Sequence, residues 1–501
     1  MTVTLDRRPR PAIARPWAAG LACTLAAAAI VLWVLFLPPH LGAADNGDFT
    51  RIAGRMGVDG VQHLSGSDWP YFHEVNERWL WQPMNWAQLT PAEASFSAVW
   101  PVSLLRLMTN LVGDTAATPL STAALAGIYA AMLLLAVFLL TRFAAARWGW
   151  RGLLPALPGA VMLLGGMHLA WFNSLYGEAM LFVGLLLTLG CFVTAIQAEG
   201  RRAAWMLIPC CLATSLLLCG KPQAVLGWPL WTAMLVILAI HVLRPLARRC
   251  FLRRALAAFL AVHLLWSAAS CTVLYAWNSA INEDATLFSA IFDGVLMLTD
   301  DPEAMLADMG LDPVLAADRG KNGYCDRNDM IAPPYSPRGE AMLFSHMNTM
   351  RLLKYYVTHP AYLLQAMEIT AQQAVSPAIS LHHFAGEAEA IHTDHTRFGW
   401  WARLRPYVTP RHFWQYVLLY GGMLAVCALR LRRQNSRGRL LTLLFLAVLL
   451  TGVVQYPLPF LGNGYADTNK QLYLFMLCHD VCMLTAVCYG ISRLCRRFMT
   501  D

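Results

Sequence analysis

Asp45-Asn46-Gly47-Asp48-Phe49-Thr50-Arg51 sets two carboxylates three residues apart, with an arginine three further on. A carboxylate so placed can take a proton from an attacking hydroxyl as general base, and the guanidinium of Arg51 can neutralise or orient a neighbouring anion. The same residues also read as a well-made turn. Asn-Gly is a strong turn former, and Asp48 ahead of Phe49-Thr50-Arg51 suits a helix N-cap. Glu178, in Asn173-Ser174-Leu175-Tyr176-Gly177-Glu178, is the natural second carboxylate, or else complements the dipole at the start of the helix that follows. Lys221 and Lys470 offer point charges to a phosphate, or simply snorkel to a membrane boundary. Lys470, in Asp467-Thr468-Asn469-Lys470, also sits where a helix N-terminus favours an anion. Gly220-Lys221 lacks the upstream glycine and the following Ser/Thr of a Walker loop.

What must hold these groups together is a membrane. Of 501 residues, 57% are hydrophobic and 14% charged, against about a quarter charged in soluble domains. Mean hydropathy is +0.46. Apolar runs reach the roughly 20 residues needed to cross a bilayer core. They predict an all-α polytopic protein with about ten spans, near 17–37, 119–141, 153–172, 179–198, 203–219, 224–243, 255–277, 412–430, 440–459 and 470–490. Arginines cluster in alternate turns (Arg142/Arg147/Arg151, Arg201/Arg202, Arg244/Arg248/Arg249, Arg430/Arg432/Arg433, Arg493/Arg496/Arg497), the positive-inside pattern. The net charge of +8 is therefore a topology signal and not a nucleic-acid footprint. By that rule both termini are cytoplasmic. The run Trp17–Leu37 is long for a cleavable leader, although Gly42-Ala43-Ala44 is small enough to be cut.

The same topology makes 38–118 and 278–411 two long external loops, with every cytoplasmic loop short. The expected division is a seven-span module over 1–277, an external helical cap over 278–411 and a three-span module over 412–501. The four lysines (Lys221, Lys321, Lys354, Lys470) and nearly all acids fall outside. Tryptophans of the first loop (Trp69, Trp79, Trp81, Trp86, Trp100) suit interfacial anchoring or stacking on sugar rings. Ala98–Val112 is expected to lie along the membrane surface. Thirteen cysteines lie mostly within apolar runs, with Cys325 well inside a polar loop, so no disulfide framework is expected there. His479-Asp480, midway through the last span, is costly and should face the bundle interior as an interhelical hydrogen bond or a proton path. His382-His383 and His392-Thr393-Asp394-His395 fit no zinc pattern.

Asp45-Asn46-Gly47-Asp48-Phe49, Tyr176-Gly177-Glu178, Phe292-Asp293-Gly294-Val295-Leu296…Asp301-Pro302-Glu303…Leu306…Met309-Gly310-Leu311 and Tyr465-Ala466-Asp467…Lys470…Cys478-His479-Asp480 resemble bacterial glycan-biosynthesis hexose transferases of the WsfD type. These are similar to the GT-C class of membrane glycosyltransferases. The resemblance runs over most of the chain, in short motifs. It implies a GT-C-like fold, a polyprenyl-phosphate sugar donor, a glycan or lipid-linked glycan acceptor, and a catalytic carboxylate in the first external loop, which matches Asp48 best and Asp45 second.

Topology adds a separate reason. Nucleotide sugars are cytoplasmic, and no cytoplasmic loop is long enough to fold around one. An enzyme of this layout, in the bacterial cytoplasmic (inner) membrane with its site on the periplasmic side, needs a sugar already carried across on a lipid. Asp48 would then be the base, with Asp45 and Glu178 as further acids, and Arg51, Lys221 and Lys470 would hold the donor phosphate. Protein cations suffice for a monophosphate leaving group, so neither metal nor cofactor is required. A lipid-linked glycan flippase, or a ligase or polymerase moving a whole glycan, are the alternatives.

Overall fold

A computed structural model describes residues 14–53, 56–60, 79–81, 90–112, 120–149, 153–247, 250–324, 328–375, 381–384 and 396–497. The arginine tail before residue 14, Arg151, Arg248, Arg249, Trp69, Trp86, Cys325 and His392–His395 lie outside the described residues.

The protein is all-helical, with nine helices among the described residues long and apolar enough to cross a bilayer. In hydrocarbon each backbone polar group needs an internal partner, which a helix supplies within its own segment. The nine are Pro16–Phe36, Thr122–Trp148, Glu178–Gln197, Gly200–Leu218, Pro222–Leu243, Phe251–Leu298, Phe413–Arg433, Ser436–Asn463 and Tyr473–Ile491. Glu178–Gln197 is buried on nearly all sides, so it forms the centre of the bundle and carries Glu178 at its first turn.

The expected span 153–172 is not one helix. It is built from Ala156–Leu163, Gly166–Leu169 and a 3-10 turn Ala170–Phe172. The break falls at Leu164-Gly165-Gly166, where a Cβ on Gly166 would overlap the Thr396 side chain and lie 3.0 Å from Leu41. Two chain segments cross so closely there that only glycine fits. Gly166→Ala should cost about 1–3 kcal/mol by overpacking. Gly127→Ala, with open space at its Cβ, should be neutral. Thermal inactivation of the two purified variants in detergent measures the difference.

The helix Phe251–Phe292 runs without interruption across the expected 277/278 boundary. Among the described residues beyond it the longer helices are Pro302–Asp308, Thr349–Thr358 and Pro360–Val375. This segment is tied down on the bundle. The Tyr456 hydroxyl donates to the Met367 carbonyl at 2.7 Å, and the Phe413 N–H donates to Glu368 at 2.9 Å. Leu41–Ala43 pairs antiparallel with His382–Phe384, joining the chain just after the first span to the distant loop. Arg397 adds a clasp by donating to the carbonyls of Trp33 at 3.0 Å and Pro38 at 2.6 Å. Together these hold the Asp45–Asp48 turn against the end of the bundle.

Val99–Val112 is a helix with Trp100, Leu104, Leu107, Met108 and Leu111 exposed along one side, the face expected of a membrane-surface helix. Its other side buries Arg106, which donates to the Met56 carbonyl at 2.6 Å and stacks on Trp81 at 5.1 Å. Trp81 is fully buried, so it is a packing residue and not a sugar platform.

Candidate active site at the end of the bundle

The turn after the first span is organised by Asp45, not by Asp48. Asp45 Oδ1 accepts from the N–H groups of Gly47 at 2.7 Å and Phe49 at 3.0 Å. Gly47, with φ of 100°, stands at the N-cap of the 3-10 turn Asp48–Arg51 and has no side chain to cap it with. The N-cap expected of Asp48 is therefore filled from three residues earlier. The reason is the left-handed Gly47, which brings the chain back over Asp45. Burial pushes the Asp45 carboxyl up, against the two backbone N–H bonds.

Asp48 is thus free of backbone duty and turned to three cations. Its Oδ2 accepts from Lys470 Nζ at 2.8 Å, and its Oδ1 pairs with Arg51 at 3.0 Å. Burial alone would raise its pKa, but Lys470 and Arg51, with Lys221 behind them, hold it well below the usual carboxylate range. Lys470 also pairs with Asp467 at 3.0 Å. Burial would lower the lysine, yet Asp48, Asp467 and Glu178 hold it above its ordinary value. Lys470 belongs to a single helical turn, Thr468–Gln471, ahead of the last span and not at its first residue.

Glu178 and Lys221 form the second pair, at 2.5 Å, both buried. The turns that carry them touch, since a Cβ on Gly177 would overlap the Gly220 carbonyl. Tyr176 joins the two halves. Its hydroxyl donates to the Ala44 carbonyl at 2.7 Å and accepts from the Asn46 N–H at 2.9 Å. Its ring lies 5.2 Å below the Lys470 ammonium and meets Phe49 edge-on at 4.8 Å. Burial first, then Asp48 and Asp45, push the phenol well above its ordinary pKa, so it stays neutral. Asn46 closes the circuit by donating to Asp467 at 2.8 Å. Asp467 adopts φ of 53°, a conformation uncommon outside glycine but tolerated by Asp.

The structure therefore brings Asp45, Asp48, Glu178, Arg51, Lys221 and Lys470 to one place. Asp48, Glu178 and Asp467 pair there with Arg51, Lys221 and Lys470, while Asp45 is engaged by backbone N–H groups. Tyr176, Asn46 and Asp467 were not singled out as site residues from the sequence, although all three sit inside motifs that were. Among the described residues no group of His, Cys, Asp and Glu is arranged to hold a metal ion.

Residues 12–500 match the YfdI N-terminal transmembrane domain. The chain belongs to that family. No curated protein and no solved structure matches it. The description of this YfdI family is of a transmembrane domain; it names neither substrate nor reaction and does not bear on the WsfD-type resemblance.

His479 and Asp480 face different neighbours. His479 Nδ1 bonds the Tyr420 hydroxyl at 3.1 Å. Asp480 accepts from Trp401 Nε1 at 2.7 Å and Arg405 Nε at 3.2 Å. Arg405 is fully buried and also donates to the carbonyls of Ala374 and Val375. Both acid and imidazole thus make hydrogen bonds between elements. Arg405 was missed from the sequence. The available signal was an arginine on the inward face of the amphipathic stretch Trp400–Val408, where Trp400, Leu404 and Tyr407 are exposed.

Proposed function

We propose that this YfdI-family protein is a GT-C-like hexosyltransferase. It moves one hexose from a polyprenyl-phosphate donor to a glycan or lipid-linked glycan acceptor at the outer face of the bacterial cytoplasmic membrane. The observation that carries this reading is Asp48 held between Lys470 and Arg51. One carboxylate and its cations share a site at the end of the bundle, where a lipid-linked phosphate arrives.

The chemistry needs a proton acceptor and charge for a leaving group. The acceptor hydroxyl attacks the anomeric carbon, the bond from that carbon to the phosphate oxygen breaks, and the hydroxyl proton passes to Asp48. Lys470, Arg51 and Lys221 stabilise the polyprenyl phosphate as its charge develops. In the empty site Asp48 is a weak base, because two cations neutralise it. The donor phosphate competes for those cations, and each one it draws away raises the affinity of Asp48 for a proton. Base strength would then appear only when the donor is bound. Asp45, committed to the turn, supports the geometry. Glu178 holds Lys221 in position.

The break at Gly165-Gly166 resembles the discontinuous helices of transporters, but Leu41, Thr396 and Phe398 fill it. The test uses the full chain in proteoliposomes with polyprenyl-phosphate sugar labelled in the hexose. The expected result is one hexose added per acceptor, read by product mass. Addition of a block of many sugars makes the protein a ligase or polymerase. Labelled lipid crossing the bilayer with no sugar changing acceptor makes it a flippase.

A further inference from the structure

The sequence contains three Asn-Gly pairs, Asn46-Gly47, Asn322-Gly323 and Asn463-Gly464, and the last two are each followed by tyrosine. They are far apart in the chain and meet in the fold. The Gly323 N–H donates to Ser289 Oγ at 2.9 Å, and a Cβ on Gly323 would overlap the Ala285 carbonyl. One turn further along the same helix, a Cβ on Gly464 would lie 2.6 Å from the Ser289 carbonyl, and the Tyr465 N–H donates to the Asp293 carbonyl at 2.9 Å. The two glycines are thus seated on consecutive turns of Phe251–Phe292. Tyr324 follows the first of these glycines, and the Tyr465–Lys470 turn follows the second.

Tyr324 is held firmly there. Asp318, fully buried, accepts from the N–H groups of Ile331 and Ala332 and from Lys321 Nζ at 2.9 Å. Lys321 also donates to the Asp329 carbonyl at 2.5 Å. Lys321, three residues before Tyr324, is thereby fixed to Asp318 and to the Asp329 carbonyl. Tyr324 is 52% exposed, and its phenol is close enough to Arg51, Asp48 and Asp467 to feel their charges. A half-exposed aromatic ring within electrostatic reach of the site's ions is placed where a ligand held by those ions can meet it.

We propose that Tyr324 is a sugar-binding wall of this site, its ring stacking on the hexose of the lipid-linked donor while Lys470 and Arg51 take the phosphate. An aromatic plane suits the C–H face of a pyranose. A backbone seated on the Phe251–Phe292 helix through Gly323 gives up little entropy on binding. The inference rests on the transferase reading and adds to it the residue that tells a sugar-bearing lipid from a bare one.

The test is equilibrium binding to the full chain in lipid nanodiscs. The probes are polyprenyl-phosphate glucose, galactose and mannose, set against bare polyprenyl phosphate. Tyr324→Ala should weaken the best-bound sugar lipid about 5- to 10-fold and leave the bare lipid unchanged. Tyr324→Phe should bind like wild type, because the ring and not the hydroxyl does the stacking. If Tyr324→Ala weakens both lipids equally, or neither, the wall is overturned while the transferase reading stands. If the wild-type protein binds no polyprenyl phosphate of either kind, the transferase reading fails and the wall with it.

Discussion

Asp48→Asn is expected to lower hexose transfer by about 10²- to 10⁴-fold, the usual contribution of a positioned general base, with the fold retained. Asparagine keeps the size and one acceptor oxygen. Lys470 keeps Asp467 at 3.0 Å, so the substitution does not strand a buried ammonium. The pH dependence sharpens the test. The carboxyl of Asp48 is held below its ordinary value, so its pairs contribute stability above the unfolded carboxyl pKa of about 3.9. That contribution is lost only as pH falls through the lower folded value. Between pH 5 and 8 Asp48 therefore stays ionised in the free protein and should put no acid limb on kcat/KM. With donor bound, the phosphate draws on Lys470 and Arg51, so the acid limb of kcat should lie at higher pH than that of kcat/KM. Transfer at near wild-type rate by a folded Asp48→Asn protein would remove Asp48 as the base.

The spans were legible because a bilayer demands long unbroken apolar runs, and hydropathy reads those directly. Where hydropathy failed is instructive. Leu163-Leu164-Gly165-Gly166-Met167 is as apolar as a helix interior, so hydropathy does not mark the break, although the Gly-Gly pair is a breaker signal. The cause is the distant Thr396 side chain, which needs the space at Gly166. The same limit applied at the site. Each charged group announced itself by standing at the end of a span. Its partner did not, because Lys470 and Asp48 are 422 residues apart and no spacing encodes their 2.8 Å contact. The cap was placed on Asp48 for a local reason: propensity favours an Asp just before a helical turn, whereas the left-handed Gly47 hands the task to Asp45. Arg405 escaped notice because an arginine in a polar loop looks solvated until its buried partner Asp480 is seen beside it.

Glu178→Gln should be the most destabilising conservative change near the site, because it leaves the Lys221 ammonium buried opposite a neutral amide. The side chains of Glu178 and Lys221 are 1% and 10% exposed. Removing one partner of a buried pair costs about 3–5 kcal/mol, while replacing both by apolar residues of similar volume is often neutral or better. The double substitution Glu178→Met with Lys221→Met should therefore recover most of the thermal stability lost in Glu178→Gln, measured as inactivation temperature in detergent. Activity separates two roles for the pair. If it only fastens the turns at Gly177 and Gly220, the stable double variant should transfer hexose like wild type. If Lys221 contributes charge to the donor phosphate, the double variant should be stable yet impaired, with a raised KM for the donor. We expect the second outcome, because Lys221 already acts on Asp48 from where it stands, and a charge that reaches the base also reaches an anion bound beside it. A stable double variant with unaltered donor KM would return Glu178 and Lys221 to a structural role and leave Lys470 and Arg51 to hold the phosphate.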